Sequence, residues 1–241
     1  MVTFKEIKEE FIDFNNECDK LNFYTRTKKN HSKKIEECEE YVIKIKEYKK
    51  QAIKSKNEFE ANELLHIQCI INAHISFFTM WINLKEEDFQ TAWIKLIDAS
   101  EYISVALKIN DYKGVRNFQE RIKSAELSIF PNFALFNSPG LKETVGKCSI
   151  CLENFILCNH IENNIYMGRL CQRVDRQILE VNHVAFVKKP RDKRCIITAI
   201  TEDNGEEIDY LTLEKTGNVN SIKDGMPMKA IVFKIPNLDF N

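Results

Sequence analysis

Residues 1–113 contain neither glycine nor proline, and all seven glycines and all five prolines of the 241-residue chain lie between Gly114 and Pro236. These two residue types punctuate turns and interrupt helices, so their absence excludes a turn-rich β architecture from the first half. An excess of either charge is also missing: 35 Lys and Arg face 36 Asp and Glu, a formal net charge of −1. No global field therefore draws the chain onto nucleic acid or an anionic membrane. The opening stretch MVTFKEIKEEFIDF is charged and amphipathic and lacks an apolar signal core. The eight cysteines accordingly read as reduced thiols in a cytoplasmic protein rather than as a disulfide framework. GxSxG, Walker-type Gly-Lys-Ser/Thr and HExxH patterns are absent too, so neither a phosphate loop nor a recognisable nucleophile–base set is present.

Apolar periodicity fills the glycine-free half with five helices. The first is expected over about Thr3–Phe23, with Phe4, Ile7, Phe11, Phe14, Cys18 and Leu21 on one stripe and Thr3 as N-cap. The second starts near Asn30 or Ser32 and buries Ile35, Cys38, Val42 and Ile45. Its lysines, Lys34 and Lys49 among them, interleave with glutamates as a solvated face. The third, about Asn57–Leu84, includes a run from Leu64 to Leu84 without a formal charge, long enough to cross a bilayer. His66, Gln68, Asn72, His74 and Asn83 interrupt that run, which makes it a central helix of a bundle with hydrogen-bonded interior histidines rather than a membrane span. The fourth, about Glu87–Ile109, places Ala92, Ala99 and Ala106 seven apart, where a neighbouring helix can approach closely. With a fifth at about Lys113–Ile129 it reads as a helical hairpin, although no repeat of about 34 residues runs through the chain.

The fold class is therefore α+β. An α-helical bundle or helical-hairpin domain (1–130) is followed by an ordered connector (131–147) and then by a small zinc-stabilised antiparallel β domain (148–241), with Phe130, Phe133 and Phe136 pinning the halves together. Its strands are read in QILEVNHVAFV, RCIITAITED, IDYLTLEK and MKAIVFKI.

The chemistry concentrates in Cys148–Cys171, CSICLENFILCNHIENNIYMGRLC. Two cysteines two residues apart form a knuckle that presents both thiolates to one Zn²⁺, and further soft ligands nearby complete a tetrahedron. Five candidates compete for four places. Cys148, Cys151, Cys158 and His160 form the first set; Cys148, Cys151, His160 and Cys171 form its rival. A catalytic zinc needs an open position and a base, and only Glu153 and Glu162 are close in sequence.

The order CxxC, CxH, Tyr-x-Gly, Cys, followed by a strand such as LEVNHVAFVKKP, resembles a short cysteine/histidine segment of uncharacterised tailed-phage and prophage proteins. It covers about Cys148–Pro190, with Leu152 and Asn163 or Asn164 standing where glycine is common in that pattern. The resemblance implies a zinc-stabilised β module and a setting in phage biology or antiviral defence, with no particular reaction.

Three functions follow. The first is a non-enzymatic interaction or adaptor protein that binds another protein and no membrane. The second is a His-metal (HNH-like) nuclease, with His160 as general base and Asn182 and His183 as partners. The third is nucleic-acid binding through the basic loop Lys188, Lys189, Arg191, Lys193 and Arg194.

Overall fold

A computed structural model describes residues 3–132, 136–221, 225, 227–234 and 238–240. The first half forms five helices: α1 (Phe4–Asp19), α2 (Lys28–Lys54), α3 (Glu58–Lys85), α4 (Phe89–Ile109) and α5 (Lys113–Ile129). Their starts follow from side-chain caps. Thr3 and Glu6 form a reciprocal capping box on α1. Thr27 Oγ1 accepts the Asn30 N–H at 3.2 Å and starts α2 earlier than Asn30 or Ser32. Asn57 and Asp88 cap α3 and α4 in the same way.

Helix α3, whose run from Leu64 to Leu84 carries no formal charge, lies at the centre, packed between α2 and α4. It is long and apolar enough to span a membrane, and most of its apolar window is buried by the other elements. Its histidines are hydrogen-bonded inside the bundle: His66 Nδ1 lies 2.9 Å from the Ala106 carbonyl, and His74 Nε2 lies 3.0 Å from Asn15 Oδ1. Ala92, Ala99 and Ala106 are fully buried on α4, the close-approach positions that their spacing indicated.

Two lysines of α2 depart from the expected solvated face. Lys34 and Lys49 are buried; Lys49 Nζ donates to Gln68 Oε1 at 2.6 Å, and burial pushes it down to about 8. Lys34 is four residues before Cys38, and Lys49 four after Ile45, so the helical turn carries both onto the apolar stripe.

Among the described residues ten strands follow, all pairing antiparallel: β1 (Phe136–Glu143), β2 (Lys147–Cys148), β3 (Ile165–Tyr166), β4 (Arg169–Leu170), β5 (Arg173–Val174), β6 (Ile178–Val187), β7 (Ile197–Thr201), β8 (Glu206–Asp209), β9 (Lys215–Val219) and β10 (Met228–Ala230). The stretch read as a connector thus contains a strand. β1 pairs with β6 as a ribbon, β7 to β10 form a sheet in the order β10-β7-β8-β9, and β2-β5 and β3-β4 are short pairs around the cysteines. IDYLTLEK is not one strand. Asp209 Oδ1 accepts the N–H groups of Leu211 and Thr212 and ends β8, and β9 begins only at Lys215.

One hydrophobic core spans both halves: Phe136, Leu170, Ile196 and Phe240 belong to the same buried cluster as the helix interiors. Phe130 is buried against Trp93, ring centroids 5.1 Å apart; Phe133 lies outside the described residues. Residues 238–240 lie across the helices. Gln68 Nε2 donates to the Asp239 carbonyl, and Phe240 packs on Tyr102.

Candidate metal centre

The centre is built from two tight turns held by short strand pairs. In the first, the Leu152 N–H donates to the Cys148 carbonyl at 2.9 Å and the Ile150 N–H donates to Cys148 Sγ at 3.4 Å. Leu152 takes a φ of +64°, the left-handed conformation that makes glycine common after such a cysteine pair. The backbone thus adopts a knuckle geometry despite the larger side chain. Asn163 plays the same part later, at φ +68°. β2 and β5 pair beneath the knuckle, fixing Cys148 opposite Arg173.

The second turn carries Cys158 and His160. The Ile161 N–H donates to Tyr166 Oη at 3.0 Å, and the His160 and Tyr166 rings meet edge to face with centroids 4.7 Å apart. Tyr166 belongs to the β3-β4 hairpin, whose turn residues Met167 and Gly168 both have positive φ. The hairpin tip rests on the start of α3: the Gly168 N–H donates to Asn62 Oδ1 at 2.7 Å, and the Met167 N–H to Glu58 Oε1 at 3.3 Å. A Cβ at Gly168 would stand 2.6 Å from the Ala61 carbonyl oxygen, so only glycine allows this approach. Between the helices and this hairpin lies a cavity of about 670 Å³ lined by Phe59, Asn62, Lys108 and Tyr166 among others.

Folded this way, one donor atom each from Cys148, Cys151, Cys158 and His160 fall within 4.8 Å of one another. The cluster could hold a metal ion. His160 Nδ1 is buried without a hydrogen-bond partner, as a ring nitrogen reserved for a ligand bond would be. Burial works to raise the Cys148 thiol, yet N–H donors from Cys151 and Ile150 outweigh it and hold the group at about 7, toward the thiolate that binds metals. Cys171 is a buried neighbour of this set. Its Sγ is 3.8 Å from Cys148 Sγ, and burial followed by the neighbouring Cys148 pushes it up to about 12.

Comparison with protein-family models, curated proteins and solved structures returns no match for this chain. The site's own chemistry is therefore the basis for any reading. Glu162, one of the two carboxylates close in sequence, is engaged by Arg173 Nε at 3.1 Å. His183 and Asn182 lie on the β1-β6 ribbon, outside the cluster; the His183 ring covers Gly140.

The basic loop is divided by its contacts. Lys188, Lys189 and Arg191 are exposed, while Lys193 is engaged by Glu126 at 2.6 Å. Arg194 is a correction to the expected phosphate-facing set. It is fully buried and bonded to Asp98, Glu101 and Asp192. A guanidinium with those three carboxylates around it is neutralised internally and has no surface to offer a phosphate. Sequence reading missed this ion-pair group because Asp98 and Glu101 lie on α4, 96 and 93 positions away.

Proposed function

We propose that Cys148, Cys151, Cys158 and His160 hold a structural Zn²⁺, and that the chain is a non-enzymatic interaction protein in which this zinc fixes a β module against a helical bundle. The gathering of the four donors within 4.8 Å carries the reading. Three thiolates and an imidazole match the preference of zinc for soft, tetrahedral, closed sites, which serve structure rather than reaction.

Two surface features support an interaction role. The metal-bearing turns expose Leu152, Ile156, Leu157 and Ile161, aliphatic side chains that face solvent instead of the core. On the helical half, a cavity of about 580 Å³ is lined largely by apolar groups including Phe23, Tyr24, Trp81, Leu84 and Phe89. The resemblance of residues 148–190 to phage and prophage segments supports, in this proposal, a role in phage biology or in defence against phages.

The test is metal analysis and affinity capture on the same sample. Purified chain should carry one zinc per molecule, and capture from the native host should return a protein partner that Leu157→Asp or Ile161→Asp weakens without loss of metal. Zinc-free, fully folded protein would overturn the site, and metal-dependent DNA cleavage by the zinc-loaded chain would overturn the non-enzymatic role.

A further inference from the structure

Phe118, Arg121, Ala125 and Ser128 of α5 are three or four residues apart and share one side of the helix. Phe118 packs tightly on α3: its ring stacks on His74, centroids 4.3 Å apart, and meets Phe77 edge to face at 5.7 Å. Two turns on, Ala125 and Ser128 are too short to continue that packing. Phe77, Trp81 and Leu84 of α3 are left lining the cavity of about 580 Å³. Phe23 and Tyr24, from the turn between α1 and α2, line it too and are 48% and 54% exposed.

The charge and hydrogen-bonding groups of this cavity are one-sided. Among the described residues Arg121 is the one charged side chain in its lining, and no carboxylate lines it. Arg121 Nη1 donates to Asp19 Oδ1 at 3.0 Å and the guanidinium carbon stands 5.4 Å from the Phe23 ring centroid, while Nε and Nη2 meet no acceptor among the described residues. Trp81 Nε1 is buried and also lacks an acceptor. Such an orphaned donor costs stability that a bound acceptor recovers. A second cation stands near the rim: Lys85 Nζ lies 5.1 Å from the Tyr24 ring centroid, with no carboxylate at ion-pair distance among the described residues.

We propose that this cavity binds a small aromatic carboxylate, its ring against Phe77 and Trp81 and its carboxylate at the open edge of Arg121. The volume lies within the range of roughly 300–1,000 Å³ that suits a small molecule. Aromatic walls favour a flat apolar body, and a guanidinium with free N–H groups favours a carboxylate over a neutral group. Tyr24 meets the Trp81 ring edge to face at 5.9 Å and, being half exposed, turns aside to let the ligand reach the indole. The inference rests on the reading of this cavity as a binding surface and is independent of the metal.

The test is titration of the full, metal-loaded chain with naphthylacetate, followed by calorimetry and by the indole N–H signals of the two tryptophans in a proton–nitrogen correlation spectrum. One site with a Kd below about 1 mM is expected. The Trp81 signal should move, while that of Trp93, whose Nε1 donates to the Lys193 carbonyl at 2.9 Å, should stay. Neutral naphthylacetamide should bind about tenfold more weakly, and Arg121→Gln should bring acid and amide within about twofold of each other. Ser128→Phe, at an exposed position in the lining, should abolish binding with unchanged melting and metal content. Absence of saturable binding up to about 10 mM overturns the proposal and leaves the zinc reading intact. Equal affinity of the wild type for acid and amide, or binding that Ser128→Phe leaves unchanged, overturns it as well.

Discussion

The Arg194 guanidinium donates through Nη2 to Asp98 Oδ1 at 2.7 Å, tying the residue just before β7 to the middle of α4. Arg194 Nε reaches the same oxygen at 3.0 Å, and Nη1 reaches Glu101 and Asp192. Removing one member of a buried ion network leaves the others uncompensated. Arg194→Met should therefore cost about 3–5 kcal/mol in urea unfolding. Lys188→Gln and Lys189→Gln should stay within about 0.5 kcal/mol, as exposed substitutions do.

The metal centre makes a prediction about ligand identity. Cys148→Ser should abolish binding of the single metal equivalent and loosen the 147–174 region, seen as new amide exchange there. Cys158→Ala should also lose the metal, while Cys171→Ala keeps it. Retention by Cys158→Ala with loss by Cys171→Ala would hand the fourth position to the sulfur now 3.8 Å from Cys148.

Gly168→Ala should destabilise by about 2 kcal/mol, from a positive φ and from a Cβ pressed against the Ala61 carbonyl. The loss should appear as hairpin detachment from α3. Asn62→Ala, which removes only the acceptor for the Gly168 N–H, should cost about 1 kcal/mol.

Acid should destabilise the bundle through its buried histidines. Burial, reinforced by Arg121, pushes His74 down to about 3, and burial also lowers His31 and His66. The unfolded chain takes up these protons near pH 6.5, before the folded chain can. The stability contributed by neutral His74 is full above that pH and declines toward pH 3, by about 2 kcal/mol at pH 5. Urea midpoints at pH 7.5 and 5 should converge for His74→Gln relative to wild type, even though the substitution lowers both.

Much of the architecture is legible along the chain because its signals are local. Phe4, Ile7 and Phe11 repeat with the helical period, Thr3 precedes Glu6 at capping distance, and β6 reads as a β-branched run before KKP. The α2 start is read late because Thr27 lies among polar residues that conceal its role as cap. Lys34 and Lys49 are misplaced because lysine identity outweighed their position on the helix.

The sequence by itself determined the split into a helical half and a turn-rich half, since the distribution of glycine and proline limits local backbone conformation wherever the chain goes. It also determined that soft metal ligands cluster within one short segment, because four donors can meet there through tight turns alone. Only the tertiary structure decided that the halves share one core, that Arg194 faces inward, that Cys171 comes within 3.8 Å of Cys148, and that among the described residues β6 is left as an edge. Each of those depends on contacts between residues far apart in the chain, whose energies arise when the elements pack and leave no periodic trace in the sequence.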